Sequence, residues 1–317
     1  MKAKTIKSVL EKKLKAWSAS IEDPEVKRIV EKNTIITGGC IVSMLLKEPV
    51  NDFDVYFRTK AAALAVAEYY IQRFKIKSRK GIPCLIKVED GGDRVKIMVK
   101  SAGVASEEGS DKPYEYFEGR PEGEEGAAGD YVSDIFDDPG EIQDLYEDTK
   151  EKAQQTNPDD GRPPYRPVFL STNAITLSGK IQIVLRFFGE PDAIHANYDY
   201  VHCTSYWTSW DNCLELRRDA LAAILARELI YVGSKYPLCS IFRMRKFIKR
   251  GWTINAGQIL KMVMQLNELD LKDVKILQDQ LTGVDCAYFM EVMGKLKEKD
   301  PERVNAAYLV EILDRMF

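Results

Sequence analysis

Residues 104–160 place the strongest constraint on what this chain can fold into. They carry 19 Asp/Glu against 4 Lys/Arg, a net charge of −15 in 57 residues. Runs such as Glu107-Glu108-Gly109-Ser110-Asp111 and Glu122-Gly123-Glu124-Glu125-Gly126 are rich in glycine and poor in apolar periodicity. A stretch of this kind buries too little apolar surface to offset the entropy of ordering it. It is expected to be a loosely packed acidic insertion, about 104–165, leaving through the turn-rich Asn157-Pro158-Asp159-Asp160-Gly161. The remaining 260 residues must supply the core, and they hold 42 Lys/Arg against 30 Asp/Glu, a net of +12. The whole-chain charge of −3 therefore describes neither part.

Other classes fall away early. The chain is 45% hydrophobic and 30% charged over 317 residues, which suits a globular protein of about two domains. No window approaches the ~20 apolar residues of a membrane span, and Met1-Lys2-Ala3-Lys4-Thr5-Ile6-Lys7 does not read as a secretory signal. No membrane partner is expected, and the expected compartment is cytoplasmic. The six cysteines form no C-x-x-C pair and read as free thiols in a reducing setting. His195, His202 and Cys203 lack the ligand spacing of a zinc site.

Before the insertion, helix and strand signals alternate. Ile6, Leu10 and Leu14 mark one face of a helix over 5–17, and Asp23-Pro24 is a capped helix start. Strands are expected at 33–37 and 52–57, helices at 40–47 and 60–74, and a hairpin at 82–88 and 95–99. Strand signals resume at 169–170, 174–177, 181–188 and 198–204, so the insertion interrupts one sheet. Helices are then expected at 217–232, 237–250, 255–267, 271–281, 284–298 and 301–316. The expected organisation is N-terminal helices (1–32), a catalytic domain (33–210) and a helical domain (211–317). The fold class is α+β: a mixed or antiparallel sheet flanked by helices, followed by an all-α domain.

The sharpest feature is Thr37-Gly38-Gly39-Cys40-Ile41-Val42-Ser43, followed by Asn51-Asp52-Phe53-Asp54-Val55-Tyr56-Phe57. A strand enters a double-glycine turn and opens a helix, whose first N–H groups and positive dipole end suit phosphate. Ser43 adds a hydroxyl donor. Asp52 and Asp54, at i and i+2 of the next strand, share a face. Paired carboxylates repel unless a cation lies between them, and hard oxygen ligands suit Mg²⁺ or Mn²⁺. A Gly-Gly alone is usually a tight turn, and an Asp-x-Asp alone a solvated strand face. Together, in this order, they describe a metal-dependent nucleotidyl-transfer site in which Gly38, Gly39 and Ser43 hold a triphosphate and Asp52 and Asp54 hold metal.

These residues resemble the head motif of the DNA polymerase β-type nucleotidyltransferase superfamily. The similarity is closest to the CCA-adding tRNA nucleotidyltransferase and bacterial poly(A) polymerase branch, whose pattern is G-G-x-V-R-D-x-L-L-G followed by D-x-D. The chain departs from it at Val42-Ser43 and at Lys47. Arg217-Arg218-Asp219-Ala220-Leu221 and the segment Tyr236–Ile254 are weaker matches to segments that line that family's nucleotide pocket. The middle of the chain is similar to phage-encoded nucleotidyltransferase-like proteins. The resemblance implies a palm-type nucleotidyltransferase sheet, nucleotide contacts from Arg217 and Arg218, an NTP substrate (ATP and/or CTP), and tRNA processing with a tRNA 3′ end as acceptor. It also implies a third carboxylate from a neighbouring strand, for which Asp199 is the candidate as catalytic residue and metal ligand.

Arg243, Lys246 and Arg250 fall on one helical face with Lys249 at its edge, a spacing suited to RNA phosphates or to a plain solvated face. Tyr198, Tyr200, Tyr206, Trp207 and Trp210 either stack a base or, more simply, fill the core. The acidic segment reads as a solvated loop, as a polyanion mimic over the basic body, or as the site of a protein partner. The leading expectation is an enzyme that moves a nucleoside monophosphate from an NTP to an RNA 3′ hydroxyl. Nucleotidylation of a protein or small molecule is the second, and a non-catalytic nucleic-acid-binding or structural protein with a vestigial site the third.

Overall fold

The computed structural model describes residues 1–77, 84–90, 92, 95–101, 164–170, 173–271, 273, 276 and 280. The acidic insertion and, apart from isolated positions, the helices expected at 271–281, 284–298 and 301–316 lie outside the described residues.

Helix α1 (Ala3–Ala19) buries Ile6, Leu10, Leu14 and Trp17 along one stripe. Helix α2 (Pro24–Asn33) starts where the sequence places it: the Asp23 carboxylate accepts from the N–H groups of Glu25 and Val26 at 2.8 and 3.1 Å. Strand β1 (Thr34–Thr37), helix α3 (Gly39–Leu46), strand β2 (Phe53–Phe57) and helix α4 (Lys60–Lys77) follow. Strands β3 (Cys84–Asp90) and β4 (Val95–Ser101) pair as a separate antiparallel hairpin. Then come β5 (Pro167–Leu170), β6 (Ala174–Leu177), β7 (Ile181–Phe188), a short helix α5 (Pro191–His195), a 3₁₀ turn (Val201–Cys203), β8 (Tyr206–Thr208) and β9 (Cys213–Glu215). Helices α6 (Arg218–Ala226), α7 (Pro237–Lys249) and α8 (Ala256–Leu266) complete the described chain. Among the described residues no helix is long and apolar enough to cross a membrane.

The main sheet has seven strands in the order β5-β6-β7-β2-β1-β8-β9, so strands from both sides of the insertion share it. It is mixed: β2 runs parallel to β7 and every other pairing is antiparallel. Register decides its two faces. One row of directly opposed residues is Ile175, Ile183, Val55, Ile36, Trp207 and Leu214. It packs in the main core with the buried residues of α1, α2 and α4. Burying each such side chain contributes about 1.5–3 kcal/mol. The neighbouring row, on the opposite face, is Thr176, Gln182, Asp54, Thr37, Tyr206 and Glu215. A slip of β2 by one residue would drive Asp54 into the apolar core, so the hydrophobic pattern itself fixes which way the acid points.

Two segments depart from the sequence reading. The expected strand at 198–204 contributes one isolated bridge, Tyr200 to Tyr231, and then turns into the 3₁₀ element. Backbone bonds Val201 N–H to Ile230 O (3.1 Å) and Val232 N–H to Asp199 O (2.9 Å) hold it there. The helix expected over 217–232 stops at Ala226, because Arg227 takes the left-handed conformation (φ 50°) and Glu228 N–H closes back on Ala223 O. Leu229 is drawn instead into a bond with Thr253 O at 2.7 Å. The sheet also continues through β9 to Glu215, past the boundary expected at 210. A second core of Val42, Tyr200, Ile224, Leu229, Tyr231, Trp252 and Met262 packs α3 against the helical region.

Candidate nucleotide and metal site

The glycine turn meets the acidic strand at the end of β1. Thr37 lies opposite Asp54, and Gly38 follows with φ 85° and ψ −149°, a region open in practice only to glycine. A Cβ on Gly38 would stand 2.9 Å from Asp54 Oδ2 and 3.6 Å from the Tyr198 hydroxyl. Gly39 is the first residue of α3, and a Cβ there would meet nothing within 4 Å. The N–H groups of the first helical turn, with their positive end of the dipole, therefore open beside the Asp54 carboxylate. Asp52 precedes β2 by one residue and is half-buried, as is Asp54, while Phe53 between them points into the core. The two acids project their charge nearby: burial first, then Asp54 and Asp52, raise the thiol of Cys40 well above its ordinary range. Burial, Asp199 and Asp54 do the same for Cys203.

Asp54 is held from the neighbouring strand. The Gln182 amide donates from Nε2 to Asp54 Oδ1 at 3.0 Å. Thr37 anchors the other side. Its hydroxyl donates to the Ser205 carbonyl at 2.9 Å and sits 2.8 Å from His195 Nε2. A hydroxyl has one proton to give; with that proton on the Ser205 carbonyl, the Nε2-protonated tautomer of His195 satisfies the contact by donating to Thr37. Burial, then the Arg217 charge, lowers the His195 pKa to about 4, with Asp192 opposing.

His195 also lines a cavity of about 410 Å³ with Thr204, Arg217, Arg218, Asp219 and Val232. Arg217 immediately precedes α6, forms an ion pair with Asp192, and lies 5.5 Å from the ring centroid of Tyr206. Ser43 is the fifth residue of α3 and buried, about 6 Å along the axis from Gly39 at 1.5 Å per residue. That places it a full turn beyond the amides at the helix mouth.

The three-carboxylate metal set expected from Asp52, Asp54 and Asp199 does not assemble. Among the described residues no three His, Cys, Asp or Glu side chains converge as metal ligands. Asp199 is buried in an ion pair with Arg243 instead. This pair also engages one cation expected to face RNA. A second, Arg250, bonds Glu48 at 2.9 Å, and Arg227 takes the other oxygen of Glu48 at 3.1 Å. Lys249 is exposed and Lys246 half-buried on the same helix. Of the aromatic residues, Trp207 lies in the main core, Tyr200 in the second core, and Tyr198 and Trp210 pack on the site face around Tyr56 and Ile194. Gln182 carries no signal in the sequence, and His195 enters the sequence reading only as a zinc ligand set aside for want of spacing.

The residues present are of the kind that fits a divalent cation. Mg²⁺ is characteristically held by one or two carboxylates together with substrate phosphates, and Asp52 and Asp54 are hard oxygen donors beside a phosphate-suited helix end.

Sheet, flanking helices, glycine turn and acidic strand together define an α+β protein whose turn and acid meet at the end of β1. Residues 8–227 match the model of the Gabija anti-defense 2 (Gad2) family, and the chain belongs to that family. It is similar to "Gabija anti-defense 2" of Bacillus phage SPbetaL7, with 21% identity over 123 residues, 38% of this chain and 31% of the relative. The match thus spans about a third of the curated relative's length. Among solved structures, the Thermotoga maritima CCA-adding enzyme complexed with tRNA aligns at 11% identity and TM-score 0.37, covering 91% of this chain and 56% of that one. A tRNA-processing enzyme with CTP aligns at 10% identity and TM-score 0.37, covering 92% and 57%. These structural likenesses are loose, and nothing about chemistry rests on them.

Proposed function

We propose that this chain is a divalent-cation-dependent nucleotidyltransferase that serves the anti-defence role for which its family is named. One observation carries the reading: Gly38 places the amide-rich mouth of α3 directly against the Asp54 carboxylate. Phosphate-holding donors and a cation-holding acid thereby adjoin, as transfer from an NTP requires. The N–H groups at the start of α3 hold the triphosphate, and Asp52 and Asp54 hold the cation. The cavity bounded by Arg217 and Arg218 receives the remainder of the nucleotide, His195 linking it to Thr37. Bound Mg²⁺ would neutralise the phosphates and the departing pyrophosphate. In the transfer, an acceptor hydroxyl oxygen bonds to the α-phosphorus. The bond from that phosphorus to the bridging oxygen breaks, pyrophosphate leaves, and the hydroxyl proton passes to solvent.

A protein hydroxyl is the acceptor we favour. Of the two supports for the RNA reading, the resemblance to tRNA nucleotidyltransferases and the cationic face of α7, the second is weakened because Arg243 and Arg250 are paired inside the chain. The family's name points to a component of a defence system as the target. The test is transfer from α-labelled ATP or CTP, with Mg²⁺, into purified Gabija proteins and, in parallel, into total tRNA. Label on protein that disappears with Asp54→Asn supports the proposal. Label on the tRNA 3′ end would move the acceptor to RNA, and no label on either would refute transfer to these acceptors.

A further inference from the structure

We infer that Gln182 makes this a one-cation site, by occupying the position beside Asp54 that a second cation would need to find acidic. The inference rests on the proposed nucleotide site and concerns its cation count.

The argument starts from register. Side chains on directly opposed positions of neighbouring strands stand about 5 Å apart on one face. Asp54 has two such neighbours, Thr37 on β1 and Gln182 on β7. Beyond Gln182 the row continues through Thr176 on β6 to Phe169 on β5, and beyond Thr37 it continues to Tyr206. Asp54 is thus flanked on both sides by neutral residues, and its partner acid Asp52 immediately precedes the same strand.

The chemistry of two-cation sites is demanding. The ions sit about 3.5–4 Å apart and need shared oxygen ligands between them. Asp54 directs its two oxygens differently. Oδ2 lies on the Gly38 side, toward the helix mouth, and Oδ1 faces Gln182. An ionised carboxylate only accepts hydrogen bonds, so Gln182 must present its NH₂ group to it. The partial positive charge of that group lies against Oδ1 at 3.0 Å and disfavours a cation on that oxygen. Gln182 is buried, which holds the amide in place. The remaining candidate for a third acid, Asp199, is committed to Arg243. One cation, shared by Asp52, Asp54 and the phosphates, is what this donor set supports. Gln182 acts through Asp54 and is a positioning residue.

The experiment counts Mn²⁺ by electron paramagnetic resonance on the full chain, in the presence of α,β-methylene-ATP, which cannot undergo transfer. The expected result is one Mn²⁺ per bound nucleotide in the wild type and in Gln182→Met, and two in Gln182→Glu. A merely structural role for Gln182 would not raise the count in the acidic variant. Two Mn²⁺ in the wild type would overturn the inference, whatever the variants do. One Mn²⁺ in a folded Gln182→Glu would overturn the assignment to Gln182. If Gln182→Glu does not fold, the wild-type and Gln182→Met counts still decide, because either count at two refutes the inference. Absence of nucleotide-dependent Mn²⁺ binding in the wild type would instead bring down the underlying site, and the inference with it.

Discussion

Gly38 and Asp54 are separated in sequence by a helix and a loop, yet a single methyl group on Gly38 would lie 2.9 Å from Asp54 Oδ2. The contact joins β1 to β2 at the point where the backbone turns into α3. It requires both the absence of a side chain and a backbone geometry of φ 85°, ψ −149°.

Gly38→Ala is therefore expected to lower stability by about 1–3 kcal/mol from backbone strain alone, and to displace the Asp54 carboxylate. Gly39→Ala is the control. Its backbone is helical and a methyl there meets nothing within 4 Å, so the fold should gain about 0.5–1 kcal/mol. Denaturant titration of both variants checks this. Equal destabilisation would contradict the geometry.

The Asp199–Arg243 ion pair is largely enclosed, with side-chain exposures of 11% and 29%. Residues in direct contact of this kind typically couple by about 0.5–3 kcal/mol. A double-mutant cycle with Asp199→Ala and Arg243→Ala is expected to give a coupling energy of about 1–2 kcal/mol, stabilising. Mg²⁺-dependent nucleotide binding should change alike in both single variants. A loss confined to Asp199→Ala would restore that residue as a metal ligand.

Much of this architecture was legible because it is local. Asp23-Pro24 announces a helix start within three residues, and Thr37-Gly38-Gly39 encodes the turn and the helix mouth in one short run. Asp54 alternates with the core residues Phe53 and Val55, so the strand period alone puts it on the opposite face. What escaped is non-local. Gln182 reaches Asp54 across 128 positions and Arg250 reaches Glu48 across 202, with no sequence signal linking either pair. The segment 198–204 has the aromatic alternation of a strand, but its partners are the chain at Ile230 and Val232, and they bend it out of the sheet. Charge on α7 was visible, while its consumption by Asp199 and Glu48 was not.

The two histidines make stability depend on pH. His202 is fully buried, its ring 4.3 Å from Trp252 and 4.5 Å from Phe247, with neither nitrogen hydrogen-bonded among the described residues. Burial foremost lowers its pKa to about 4, as it does for His195. The unfolded chain takes up these protons near 6.5, while the folded chain resists until about 4. Their contribution is therefore complete above pH 6.5 and is lost as pH falls toward 4. The slope reaches about 1.4 kcal/mol per pH unit for each histidine. His202→Phe is expected to be more stable than the wild type at pH 5 and to show a flatter profile between pH 6.5 and 4.5. Parallel profiles for the two proteins would contradict this.

Thr37 is fully buried and links His195 to the carbonyl of Ser205. Thr37→Val keeps the shape and removes the hydroxyl, leaving the Nε2 proton of His195 without its acceptor. The expected cost is about 1–3 kcal/mol. With only two histidines in the chain, ¹⁵N imidazole spectra resolve the state of each. The wild-type His195 signal should report protonation at Nε2, and the variant should lose that preference. An Nδ1-protonated His195 in the wild type would contradict the assignment.

The most direct test of the account is equilibrium binding of α-labelled ATP or CTP to the full chain, with and without Mg²⁺, in the wild type and Asp54→Asn. A site built from the Gly38 turn and the Asp52/Asp54 pair predicts binding that strengthens with Mg²⁺ and weakens about tenfold or more when Asp54 loses its charge. Binding that is indifferent to both Mg²⁺ and Asp54→Asn would show that the nucleotide does not use this site.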